Sequence, residues 1–431
     1  MKNIQDIVEY ALDALKKAGA DKASCVASKG RKDEFNVEAN QFSLLRTLYN
    51  DQLSIKAIKD NKKGETSVNK LDKDSIDKAV EECISLANAS APDPAFDIAP
   101  KVENKSFDQR IGEPDKDKLF DRTKEFLEQV QKEYPEIIMG GMSSDFTGGE
   151  SFYLNSNGAA FGRKAEHYVY GAWFSAKEKD KVSSMSSGGA RCASLNVPFM
   201  DIGLMRTLLE ESVKSLDTDM VDGKFVGKII VTPACEDMIW HTLLQNFLGD
   251  RALIEKTSRW KDALGTKVAD SKLTFRAAPH HPDIVAGERI TGDGFEAVDT
   301  DYIKDGVLNS FALSLYGANK TGKPRAGAHS GLEVAAGDVP LADMIKGVEQ
   351  GVLLNRFSGA SPGPSGDMSG IAKNSFLIEN GKVTKALKET MISFNIVDIL
   401  RDIPAISKER SCDGGVILPW CCFDGVTVSG K

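Results

Sequence analysis

No apolar run in the 431-residue sequence approaches the length needed to cross a bilayer. An excess of basic residues is also missing. Lys and Arg number 55 against 63 Asp and Glu, for a net charge of −8. Non-specific binding of nucleic acid needs a positive surface, so that class is disfavoured. Cysteine is sparse: seven residues, an odd number scattered through the chain, form no disulfide framework and fit a reducing compartment. Cys421 and Cys422 are adjacent and should face opposite sides of a strand, as packing residues. There is no internal repeat, no low-complexity tract and no Gly-x-Ser-x-Gly elbow with placed partners. The richest Gly/Pro/Ser loop, residues 358–370, lacks the Gly-Lys-Ser/Thr ending of a phosphate loop. The first nineteen residues form an amphipathic pattern with acidic residues throughout and no small-residue cleavage site, which is not a signal peptide. The expectation is a cytoplasmic globular protein of two or three domains.

What is present reads as an α+β fold. Helical periodicity marks residues 1–19, 74–89, 116–133 and 200–216, and residues 22–69 read as strands turned back at Asn61-Lys62-Lys63-Gly64. A polar, Pro-containing linker is expected over 91–114. The Gly-rich stretch 140–149 reads as a separator before a strand at 151–154, and Asn157-Gly158 as a hairpin turn into an aromatic-rich strand over 167–174. Residues 183–189 read as a small-residue loop. Polar residues 217–227 suggest a boundary, giving an N-terminal α/β-layered domain (1–225) and a C-terminal domain (226–431) dominated by a curved, largely antiparallel sheet. Asp305-Gly306 and Asn380-Gly381 are two-residue hairpin signals within it. A last helix is expected over 396–402, with strands near 416–418 and 426–428.

One stretch organises the second half. Ile229, Ile230 and Val231 form a buried-strand pattern, Thr232 and Pro233 suit a helix start, and Met238, Ile239, Leu243, Leu244, Phe247 and Leu248 recur at helical spacing before Gly249. His241 lies opposite much of that stripe, with Asp237 and Gln245 one turn either side. This strand, proline corner and His-bearing helix resembles the metal-binding element of the TldD/PmbA family, once called modulators of DNA gyrase. Asp305-Gly306-Val307-Leu308, Gly366-Asp367-Met368-Ser369 and Ile378-Glu379-Asn380-Gly381 are similar to further family segments in the same order. In the TldD branch the helix carries His-Glu-x-x-x-His. Here that pattern falls on His241 to Asn246: the first His matches, Thr242 stands at the Glu, and Asn246 at the second His. The chain therefore resembles the PmbA/TldE branch, which lacks the motif. The resemblance also places Cys412, in Ser411-Cys412-Asp413-Gly414-Gly415, at a third ligand position.

Each candidate has a plainer reading. A hydrolytic zinc needs three protein ligands and water. On a regular helix residues five apart diverge by about 140°, so even a full motif needs a distorted helix. His241 then reads as a vestigial ligand or a locally hydrogen-bonded polar residue, and Cys412 as a vestigial ligand or a buried thiol. His280 and His281 sit side by side in a Pro-flanked loop and point apart. A site joining His241, His329 and Cys412 has no sequence spacing behind it. The resemblance implies a non-catalytic subunit of a cytosolic metalloprotease acting on unfolded or extended peptides. Such a subunit forms a homodimer, or a heterodimer with a TldD-like chain that supplies the zinc, and binds neither metal, membrane nor nucleic acid itself. The alternatives are a self-sufficient homodimeric metallopeptidase, a Cys-dependent hydrolase, or a peptide-binding protein with no protease role.

Overall fold

The computed structural model describes residues 3–359 and 362–430, the side chains of Glu236 and Asp237 excepted. Asn3 opens the first helix, Ile4–Lys17, with a capping box: its Oδ1 accepts the Asp6 N–H, and the Asp6 carboxylate accepts the Asn3 N–H. The fold is α+β, built on two sheets. The first runs in the order Lys62–Val68, Gln41–Lys59, Lys22–Glu38, Ile137–Asn155, Ala160–Glu178, Lys105–Gln109, with Ser186–Cys192 also paired to Ala160–Glu178. Helices Ile4–Lys17 and Lys73–Ala89 bury Ile7, Leu12 and Ile76 against one end of it, around Ile55. Helices Lys116–Glu133 and Met205–Lys214 bury Phe126 and Leu209 against the other, around Tyr170 and Phe174.

Several sequence expectations are corrected here. The Gly-rich stretch is no separator. It lies inside one long strand, Ile137–Asn155. Its glycines permit close approach: a Cβ on Gly149 would stand 2.7 Å from the Lys29 carbonyl of the neighbouring strand. The small-residue loop is largely the strand Ser186–Cys192. Gly188 is small because a Cβ there would meet Leu208 Cδ1, on the overlying helix, at 2.9 Å. The linker over 91–114 contains the strand Lys105–Gln109, parallel to Ala160–Glu178. The helix expected over 200–216 divides into a 3-10 turn, Phe199–Asp201, and the helix Met205–Lys214, with Gly203 at φ +62° between them.

Among the described residues the second sheet has fourteen strands, and it begins with Thr218–Asp219 and Lys224–Val231, a little ahead of residue 226. Most pairings are antiparallel, but Lys224–Val231 runs parallel to Gln350–Leu354 and antiparallel to Ile417–Ser429. Ile417–Ser429 is a single strand where two short ones are expected. Both central strands are covered on two faces. Ile229, Val231 and Cys421 belong to the main core, Ile230 and Cys422 to a second core on the other side. That double burial explains the unbroken Ile229-Ile230-Val231 run. Both hairpin signals hold. Asp305 and Gly306 have φ of 49° and 79°, Asn380 and Gly381 50° and 74°, the left-handed pair that a two-residue turn requires.

Candidate functional site

The central strand Lys224–Val231 delivers the chain to the helix Pro233–Leu243. Pro233 occupies the first turn, where a missing N–H costs nothing. Thr232 sits at the cap position, yet its side chain makes no capping bond, and among the described residues its buried Oγ1 has no hydrogen-bond partner. The helix does not run on to Gly249 as the periodicity suggests. It passes into a π turn, Leu244–Leu248, and restarts after Gly249 as Asp250–Ile254. Hydrogen bonding from i to i+5 brings residues five apart closer to one face than a regular helix does. The helix is thus distorted just beyond His241, and Asn246 falls within the π turn. The apolar side packs tightly: Trp240 is fully buried and stacks on Phe275 with ring centroids 5.0 Å apart.

The three positions of the degenerate motif part company. His241 is exposed and lines a cleft of about 740 Å³ between the two sheets. Thr242 is buried. Asn246 is half-buried, and its Nδ2 donates to the Pro362 carbonyl at 2.8 Å, holding the helix to the Gly/Pro/Ser segment. That segment is less of a loop than expected. Arg356–Gly359 and Asp367–Lys373 pair as antiparallel strands, while Ala360 and Ser361 lie outside the described residues, as does the side chain of Asp237. Within it, the Asp367 carboxylate accepts from Asn395 Nδ2 at 2.8 Å, which holds its pKa below the usual range.

The cleft is bounded on one side by the strand Ser186–Cys192 and the helix Met205–Lys214, and on the other by the helix of His241 and segments near residues 284–288, 329–332 and 411–418. It brings His329 to the same cavity as His241. Cys412 is flanked by two lining residues, Ser411 and Asp413, but does not itself line the cavity. Its Sγ lies 3.5 Å from the Asp283 carbonyl and accepts the Gly414 N–H at 3.3 Å. Burial foremost raises its pKa, the opposite of what a nucleophilic thiolate needs. His280 and His281 are engaged separately, by Asp299 Oδ1 at 3.0 Å and by the Asp283 N–H at 3.2 Å. Among the described residues, no group of three His, Cys, Asp or Glu side chains is placed to hold a metal ion. Among the described residues, the motif offers one imidazole, a buried hydroxyl and an occupied amide; His329 adds a second imidazole to the cavity and Cys412 a hydrogen-bonded thiol outside its lining, a set that does not fit a hydrolytic zinc.

Sequence reasoning missed Arg191, Glu288 and Asp413, which line the cleft from segments far apart in the chain. The Arg191 N–H donates to the Asp413 carbonyl at 2.7 Å, tying the first sheet to the C-terminal segment. Gly414, with φ of 78°, makes that crossing possible: a Cβ there would stand 2.2 Å from the Arg191 carbonyl. Glu288 Oε2 accepts from the His329 N–H at 3.1 Å and from Ser330 Oγ at 3.3 Å. Burial, reinforced by Arg191 and Arg163, pushes His167 down to about 4. Burial also pushes Glu211, on the helix Met205–Lys214, up to about 7; Glu210 adds to the rise, while a hydrogen bond from Asn355 of the second sheet and Lys214 oppose it.

Residues 224–430 match the family model of the PmbA/TldA metallopeptidase C-terminal domain. Metalloprotease PmbA of Escherichia coli O157:H7 is 23% identical over 442 residues, an alignment covering 97% of this chain and 95% of that one. TldE from Thermococcus kodakarensis superposes with a TM-score of 0.83 at 19% identity, over 99% of both chains. A Bacteroides thetaiotaomicron chain named for a proposed role as a modulator of DNA gyrase superposes at 0.86 and 22% identity, over the whole of both. At these identities the superpositions establish the fold.

Proposed function

Since this chain belongs to the TldD/PmbA family, we propose that it is a PmbA/TldE-like subunit of a TldD/TldE-type metalloprotease. In this reading it shapes the cleft and binds extended peptide, while a TldD-like partner supplies zinc and general base. Residues 1–225 and 226–431 act as its two domains, and the assembly works in the cytoplasm as a homodimer or heterodimer. The carrying observation is the state of the degenerate motif. His241 alone faces the cleft, Thr242 is buried where a base would have to reach water, and the Asn246 amide is spent on Pro362. The elevated Cys412 pKa weighs against a Cys-dependent hydrolase.

Metal analysis of the purified full-length chain tests the proposal. After dialysis the chain alone is expected to hold well under one zinc per molecule, and the complex with a TldD-like chain about one per TldD-like chain. Near-stoichiometric zinc on the chain alone, lost on His241→Ala, would overturn it in favour of a self-sufficient homodimeric metallopeptidase.

A further inference from the structure

Arg191 is the odd charge in the cleft. It is exposed, it lines the cavity, and among the described residues its guanidinium makes no ion pair and no hydrogen bond; only its backbone is anchored, on Asp413. Among the described residues, two carboxylates line the same cavity, and both accept hydrogen bonds. Glu288 holds the segment of His329 and Ser330, and Asp413 Oδ1 accepts the N–H groups of Gly415 and Val416 at 2.7 and 2.8 Å. Behind the wall, Arg163 and Arg289 also lack ion pairs among the described residues. Their guanidinium groups donate to the carbonyls of Ala286 and Pro279 at 2.7 and 2.6 Å. A chain with an overall acid excess therefore keeps one guanidinium group, that of Arg191, on the cavity wall without an ion pair among the described residues. Burial first, and then Arg191 and Arg163, lower the pKa of His167.

We infer that Arg191 receives a carboxylate of the bound peptide, its planar fork matching two carboxylate oxygens. This assignment rests on the peptide-binding reading above and adds a selectivity for anionic ligands. The carboxylate is either the peptide's C-terminus or an acidic side chain.

Fluorescence anisotropy on the full-length chain separates the cases. The probes are three fluorescein-labelled ten-residue peptides of low structure: one with a free C-terminus and no acidic side chain, its C-terminal amide, and that amide with a single internal Glu. The free acid is expected to bind about tenfold tighter than the plain amide, the scale of one charge-assisted hydrogen-bonded contact. Arg191→Gln should bring the acid to the level of the amide and leave the amide unchanged, and Arg191→Lys should recover part of the difference. Binding of the Glu peptide at the level of the acid supports a site for any carboxylate; binding at the level of the amide supports a site for the chain end. Equal affinity of acid and amide for the native chain, or discrimination that survives Arg191→Gln, overturns the assignment and leaves the peptide reading standing. Failure of all three peptides to bind overturns both. An unchanged melting curve for Arg191→Gln is the expected folding control, because the replaced group is exposed.

Discussion

Thr242 shows how burial limits repair of the motif. Replacing it by Glu, together with Asn246→His, writes the full His-Glu-x-x-x-His pattern onto the helix. A carboxylate at this buried position loses hydration without a prepared partner. A catalytic constellation also needs its supporting shell held to within about half an ångström. The double variant is expected to bind zinc yet hydrolyse a denatured substrate at background rate; EDTA-sensitive cleavage by it alone would contradict the proposed non-catalytic role. Glu211 offers a pH test at the same scale. Its folded pKa of about 7 lies above the unfolded value of 4.5. The contribution is therefore fully present below pH 4.5 and lost as pH rises through 7. Glu211→Gln should stabilise the chain at pH 8 by roughly 1–3 kcal/mol and change it little near pH 4.5. Urea melts at the two pH values check this, and an equal effect at both would refute it. His167, with its folded pKa lowered to about 4, acts in the opposite sense, losing stability as pH falls from 6.5. The single variant is thus more informative than the wild-type profile.

The π turn decides the element that carries His241. Leu244–Leu248 widens the helix, and Gly249 closes it with its α-carbon against the preceding turn: an added Cβ would stand 2.8 Å from the Leu244 carbonyl. Gly249→Ala forces backbone to move and should cost about 1–3 kcal/mol. Thermal unfolding is the measurement; an unchanged melting temperature would show that the turn has slack. The helix–π–helix path was not legible from periodicity, because Phe247 and Leu248 fit either a continued helix or a widened one. The strand at 137–155 was hidden for a related reason. Glycines read locally as breakers, but here they answer to a neighbouring strand that is distant in sequence.

At the scale of the molecule, the first sheet leaves backbone uncovered. The strand Gln41–Lys59 pairs with Lys62–Val68 from Leu53 onward, so, among the described residues, positions 41–52 are paired on one side only, with Leu45 57% and Tyr49 76% exposed. Long apolar strand edges are usually covered. Light scattering at micromolar concentration is expected to return a dimer mass for the chain alone, and a heterodimer mass when a TldD-like chain is present. A monomer in both samples would count against the proposed assembly. The cleft also belongs to this scale, since neither sheet encloses it alone.

By itself the sequence determined the local elements whose signals are self-contained. Amphipathic helices, the two-residue turns at Asp305-Gly306 and Asn380-Gly381, and the buried run at Ile229 to Val231 follow from nearest-neighbour sterics and from the period of apolar residues. It also determined which residues stand at Thr242 and Asn246, and so which groups are absent from the motif. Only the tertiary structure decided that His241 and His329 share a cavity, that Cys412 is held beside it without lining it, and that Arg191 faces it without an ion pair among the described residues. Those relations join segments far apart in the chain, as Arg191 and Asp413 are. They are set by sheet pairing and by the Arg191–Asp413 backbone bond, for which no stretch of sequence read alone carries a period or a spacing.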